Sequence, residues 1–141
     1  MTLDTLGQLN WLAIIVAALA YFALGALWFS PVALGRPWQR AMGLDEAQQG
    51  GASMMAYAAP ALFALVSAIA TAMLATATGS TDVGTGAVLG LVVGIGYGLA
   101  LTAYEAVFDP KKPAPWTWWS ITGTYHLVGL VIVAVIVSAW R

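Results

Sequence analysis

Apolar residues fill this chain in four long runs, separated by three polar stretches. The first run spans residues 9–29, "LNWLAIIVAALAYFALGALWF"; the others span 54–77, 85–108 and 116–140. A helix needs about 20 predominantly apolar residues to cross the hydrocarbon core of a bilayer. Each run meets that length. The polar stretches carry the glycines and prolines that punctuate helices: a long segment from Ser30 to Ser53, the turn "TGSTDVG" and the short "DPKKPAP". The pattern predicts an all-α, integral membrane four-helix bundle. The first run has no Lys or Arg before it and is too long for the apolar region of a cleaved leader, so it is expected to stay as a helix.

Composition strengthens this reading. Of the 141 residues, 61% are hydrophobic and 8% charged, with a mean hydropathy of +0.85. A water-soluble domain carries about 25% charged residues, and one this apolar would expose aggregating patches. A net charge of −1 without a basic cluster leaves no footprint for nucleic acid. The absence of cysteine removes disulfides, thiolate chemistry and Cys-based metal sites.

The few charges also set an expected topology. Arg36 and Arg40 lie in the first polar stretch, and Lys111 and Lys112 in the third. With four spans these two stretches share one side, and basic loops stay in the cytoplasm. The expectation is therefore a multi-pass protein of the cell inner membrane with both termini on the non-cytoplasmic side. Trp11 and Trp140 would anchor the outer interface; Trp28, Trp38, Trp116, Trp118 and Trp119 would anchor the inner one. The loop "GRPWQRAMGLDEAQQGG" is expected to ride on the inner interface, with Trp38 and Met42 toward lipid.

The third run contains "GAVLGLVVGIGYGLA", which places Gly86, Gly90, Gly94 and Gly98 four apart. Such residues share one slowly drifting helix face. Small residues in that register let two backbones approach closely in lipid. The second run offers a matching smooth face at Ala64, Ala68 and Ala72. The ladder serves either packing inside the bundle or a contact with another subunit.

Two ionisable side chains fall within the runs, Glu105 and His126, and such residues face a bundle interior, a partner or water. At about 100° per residue, Glu105 lies on the Gly98 side of its helix, flanked by Tyr97 and Tyr104. His126 is about ten residues into the last run, roughly 15 Å deep. Thr122 precedes it by one turn and Gly129 follows it. Depth counting pairs His126 with Tyr97 and leaves Glu105 nearer the surface, within reach of Lys111 or Lys112. His126 could be neutral and hydrogen-bonded to a neighbouring helix, could line a site for a small ligand or ion, or could relay protons. One histidine does not make a haem or zinc site of ordinary coordination unless oligomerisation brings several together, so no metal and no cofactor are expected. Asn10 could cap or cross-link helices, and Pro60 should weaken the second helix locally. The exits "WFSPVALGRPW" and "VFDPKKPAPW" echo each other, as two related helical hairpins would.

The stretches "LNWLAIIVAALAYFALGALWFSP", "GRPWQRAMGL", "VFDPKKPAPW" and "TYHLVGLVIVAVI" resemble a family of small bacterial four-span membrane proteins catalogued as a domain of unknown function. The most specific parts are Asn10-Trp11, Gly25-Ala26-Leu27-Trp28 with Ser30-Pro31, and Tyr125-His126-Leu127. The "ITGT" before Tyr125 departs from that pattern, where an Asn and a Gly nearer the Tyr are more usual. The resemblance implies the four-span topology and no activity.

Two function classes follow. In the first, the protein is a non-enzymatic assembly or accessory module. It packs through the glycine-rich third helix into a homo-oligomer or a larger membrane complex. In the second, it binds or passes a small solute, a lipid-like ligand or a proton at a polar pocket around His126, Tyr97, Glu105 and Thr122. No nucleophile–base pair or phosphate-cradling loop points to an enzyme, and no catalytic residue is assigned.

Overall fold

In the computed structural model, which describes residues 3–44 and 54–140, every regular element is helical. A short 3-10 turn, Leu3–Gln8, leads into α1 (Trp11–Trp28) and the brief α2 (Gly35–Met42). α3 runs Met54–Thr78. The third long helix has three parts: α4 (Val83–Val93), a π-helical turn (Gly94–Leu99) and α5 (Ala100–Phe108). α6 runs Pro115–Ala139. Four helices are long and apolar enough to cross a membrane: Trp11–Trp28, Tyr57–Thr78, Val83–Phe108 and Pro115–Ala139. They are the four apolar runs of the sequence, packed together in a multi-pass membrane protein.

Local chemistry sets the helix ends. Asn10 accepts hydrogen bonds from the backbone N–H groups of Leu12 and Ala13, satisfying donors that the first turn leaves unpaired. Its Nδ2 also donates to the Trp140 carbonyl at 3.3 Å, tying the start of α1 to the end of α6. Asp82 and Thr85 form a reciprocal capping box at the start of α4. α6 begins with Pro115, whose fixed φ suits a first helical turn. The two echoing exits diverge. After Ser30-Pro31 the chain enters the short α2 at Gly35, and after Asp109-Pro110 it enters the long α6 at Pro115.

α6 is the central helix. It packs against α1, α3 and every part of the third span, while α3 packs on α1 and α6. The core is built of small side chains: Ala13, Ala17, Ala64, Ala68, Ala72 and Ala134 are all buried. Lipid supplies no hydrophobic drive between helices, so close backbone approach and van der Waals packing hold such bundles together. The outer faces carry exposed Leu12, Leu19, Leu62, Val66 and Val92, a surface suited to hydrocarbon rather than water.

The glycine ladder faces α6, not the alanine face of α3. A Cβ at Gly90 would stand 2.5 Å from Val131 Cα, and one at Gly86 would stand 2.9 Å from the Ala134 carbonyl oxygen. Gly94 meets Leu127, and Gly98 meets His126 Cβ. Ala64, Ala68 and Ala72 instead join a core with Ile14, Tyr21 and Val133 from α1 and α6. The ladder is therefore spent inside the chain.

α2 also departs from expectation. Trp38 and Met42 pack inward against Ala41, Ala106 and Trp118, while Arg36 and Arg40 are exposed. An eight-residue helix has one inward stripe, and Gly35, Trp38 and Ala41 share it at three-residue spacing. The rest of that loop, residues 45–53, lies outside the described residues.

Candidate functional site

The third span leans on α6 and leaves a gap between itself and α3. That gap widens into a cleft of about 970 Å³. α1 and α6 form its floor, with Tyr21, Gly25, Tyr125 and His126. Tyr57, Pro60 and Phe63 of α3 face Tyr97 and Leu101 of the third span across it, and all five are exposed. Trp38 of α2 and the Ser30-Pro31 turn close one end. No charged side chain is among its lining residues.

His126 lies in its wall. Its Nδ1 is 2.5 Å from the Tyr21 hydroxyl, and among the described residues no other group hydrogen-bonds the ring. A phenol O–H is the stronger donor of this pair, so Nδ1 accepts and Nε2 carries the proton. The expected partner, Tyr97, is displaced by one position. Gly98 sits against His126, and Tyr97, the preceding residue round the π turn, lies on the exposed side of the cleft. Tyr21 was legible in principle. It is the one polar residue in the middle of the first run, and α1 lies antiparallel to α6 at the matching depth.

An aromatic cluster supports the pair. The Tyr125 ring lies 5.2 Å from Tyr21, 5.0 Å from Phe29 and 4.9 Å from His126, centroid to centroid. Gly25 makes room for it, since a Cβ there would stand 2.8 Å from the Tyr125 hydroxyl. Gly129 does the same for the Tyr21 ring. Offset and tilted aromatic pairs of this kind add about 0.5–1.5 kcal/mol beyond their area burial.

The remaining expected site residues lie elsewhere. Thr122 is buried and accepts from Trp38 Nε1 at 3.1 Å, so it holds the residue that closes the cleft and is not itself part of the wall. Glu105 leaves the site altogether. It pairs with Lys112 Nζ at 3.0 Å, outside the cleft lining. After the π turn the buried face continues through Thr102 and Ala106, and Glu105 is about 100° from Ala106.

Lys112 is the one buried lysine among the described residues. Its ammonium bonds Glu105 and Asp109 and lies 4.2 Å from the centre of the Trp118 ring. Burial opposes its charge, but the hydrogen bonds it donates to the two carboxylates outweigh this and hold its pKa above the usual lysine value. The Lys112 hydrogen bond, with the Lys111 backbone N–H, holds Asp109 below the usual carboxylate value.

Of the expected interface tryptophans, Trp11, Trp116 and Trp140 are exposed. Trp28 and Trp38 are half-buried, with their indole N–H groups spent on the Ile121 carbonyl and Thr122. These bonds fasten α1 and α2 to α6.

No curated protein and no solved structure matches the chain. A family described as "Protein of unknown function (DUF1761)" matches residues 12–138. That match covers all four membrane-spanning helices and the whole cleft, and the chain belongs to this family.

Proposed function

We propose that this protein is a non-enzymatic inner-membrane protein that binds a lipid-like ligand in the cleft between α3 and the third span. The observation that carries this reading is the cleft itself: about 970 Å³, walled by aromatic rings and opening sideways between two spanning helices. Ligand sites typically combine 300–1,000 Å³ of apolar space with a few placed polar groups. A sideways mouth admits a ligand already dissolved in the bilayer without passage through water. The competing reading, assembly through the glycine ladder, lacks a surface because α6 already covers those glycines. In the same proposal Arg36, Arg40 and Lys111, all exposed, face the cytoplasm and both termini lie outside.

The test is native mass spectrometry of protein released from lipid nanodiscs. A lipid-sized mass should be retained by the native chain and lost in Ala26→Trp, which fills the cleft from an exposed wall position. Equal retention by both proteins, or none by the native chain, would refute the reading.

A further inference from the structure

The polar groups of the cleft specify the head of its ligand, an inference that rests on the lipid-binding reading above. Most hydroxyl and N–H groups in the lining are already committed to protein acceptors. Ser30 Oγ donates to the Leu27 carbonyl, Thr102 Oγ1 to the Gly98 carbonyl, and Trp38 Nε1 to Thr122. The lining groups without a protein partner among the described residues are His126 Nε2 and the hydroxyls of Tyr57, Ser67 and Tyr97. With Tyr21 donating to Nδ1, His126 Nε2 is an N–H donor, and both phenols donate readily. Each uncommitted group of the wall can thus donate a hydrogen bond, and His126 Nε2–H can only donate.

Charge narrows the class further. No Lys or Arg lines the cleft to meet a phosphate or carboxylate, and no Asp or Glu lines it to meet an amine. A charged head would be stripped of water there without a counter-ion, which is strongly unfavourable. Phe29, Tyr125 and Tyr97 add aromatic rings to the lining, and the Tyr125 ring lies 4.9 Å from that of His126. Conjugated rings stack on aromatic faces.

We infer that the cleft takes an uncharged, tailed lipid whose flat head carries carbonyl oxygens, a quinone-type ring being the simplest example. One carbonyl accepts from His126 Nε2–H, and the tail leaves between α3 and the third span. Tyr21 is a positioning residue: its bond to Nδ1 fixes the tautomer that presents Nε2–H.

The test uses the full chain in nanodiscs, equilibrated with three probes of equal tail length: a decyl-substituted benzoquinone, decanoate and decyl phosphate. Bound probe is counted by native mass spectrometry. The expected result is one benzoquinone per chain, held at least tenfold more tightly than either anion. His126→Phe should lower quinone binding at least tenfold, and His126→Gln, which keeps an N–H donor, should restore part of it. Anions binding as well as the quinone, or a quinone affinity unmoved in a folded His126→Phe, would overturn the head-group inference and leave the lipid-binding reading standing. No saturable binding of any probe, with no lipid retained, would overturn both. The comparison of probes on the native chain decides the question even if a variant does not fold.

Discussion

At the residue scale, several of the chain's few polar side chains settle one helix against another. Tyr21 and His126 join α1 to α6; Trp28 joins α1 to α6 through a carbonyl; Trp119 joins α6 to the π turn through the Leu99 carbonyl. Such bonds average only about 0.6 kcal/mol each in membrane proteins, yet they fix rotation and register. The Lys112 clip joins the end of the third span to the loop beyond it and is pH-dependent. Lys112 has a raised pKa, so its contribution is complete below the ordinary lysine value and is lost as pH rises through the raised one. Asp109 has a lowered pKa, so its contribution is complete above the ordinary carboxylate value and is lost as pH falls through the lowered one. The difference in melting temperature between the native chain and Lys112→Met should be flat from about pH 5 to pH 10 and shrink at both ends. A difference that does not vary with pH would show that Lys112 acts by packing on Trp118 alone.

At the element scale, the third span is shaped by its glycines. A ladder at four-residue spacing drifts by about 40° per step on a regular helix and would rotate away from α6. The π turn at Gly94–Leu99 inserts an extra residue into the coil and returns the face, so that Thr102 and Ala106 stay buried against α6 and α2. The carbonyls that the wide turn frees are satisfied. Gly98 accepts from Thr102 at 2.7 Å, and Leu99 accepts from Trp119 at 3.0 Å. Because the ladder is internal, Gly90→Leu should unfold the bundle rather than release a partner. A loss of several kcal/mol is expected, since its backbone contact with Val131 cannot open without moving α6; overpacking a core alone costs about 1–3 kcal/mol. Denaturation in mixed micelles, followed by circular dichroism, checks this. A variant of unchanged stability that had lost a subunit contact would contradict it.

At the scale of the whole molecule, a central α6 with three spans around it leaves the cleft where α3 and the third span fail to meet. Its use depends on which side of the membrane its closed end faces. Since the chain has no cysteine, single substitutions report this cleanly. Lys111→Cys should react with a membrane-impermeant maleimide only in inverted vesicles, and Asp4→Cys only in right-side-out ones. The opposite pattern would invert the topology and set the Trp38 end of the cleft against the outer leaflet.

The sequence by itself determined the class and the spans, because apolar length is a one-dimensional property that lipid reads directly. It also determined the small-residue faces and the two ionisable residues inside the runs. It did not determine which faces meet. Straight phase counting through residues 94–99 put Glu105 on the packing side, and the π turn moved that side to Thr102 and Ala106. Depth counting found a phenol for His126 but on the wrong helix, because depth is legible in one chain segment and azimuth is not. Whether Gly98 or Tyr97 faces His126 depends on how two helices rotate against each other. The tertiary structure alone decided that rotation, and with it the gap that became a cleft.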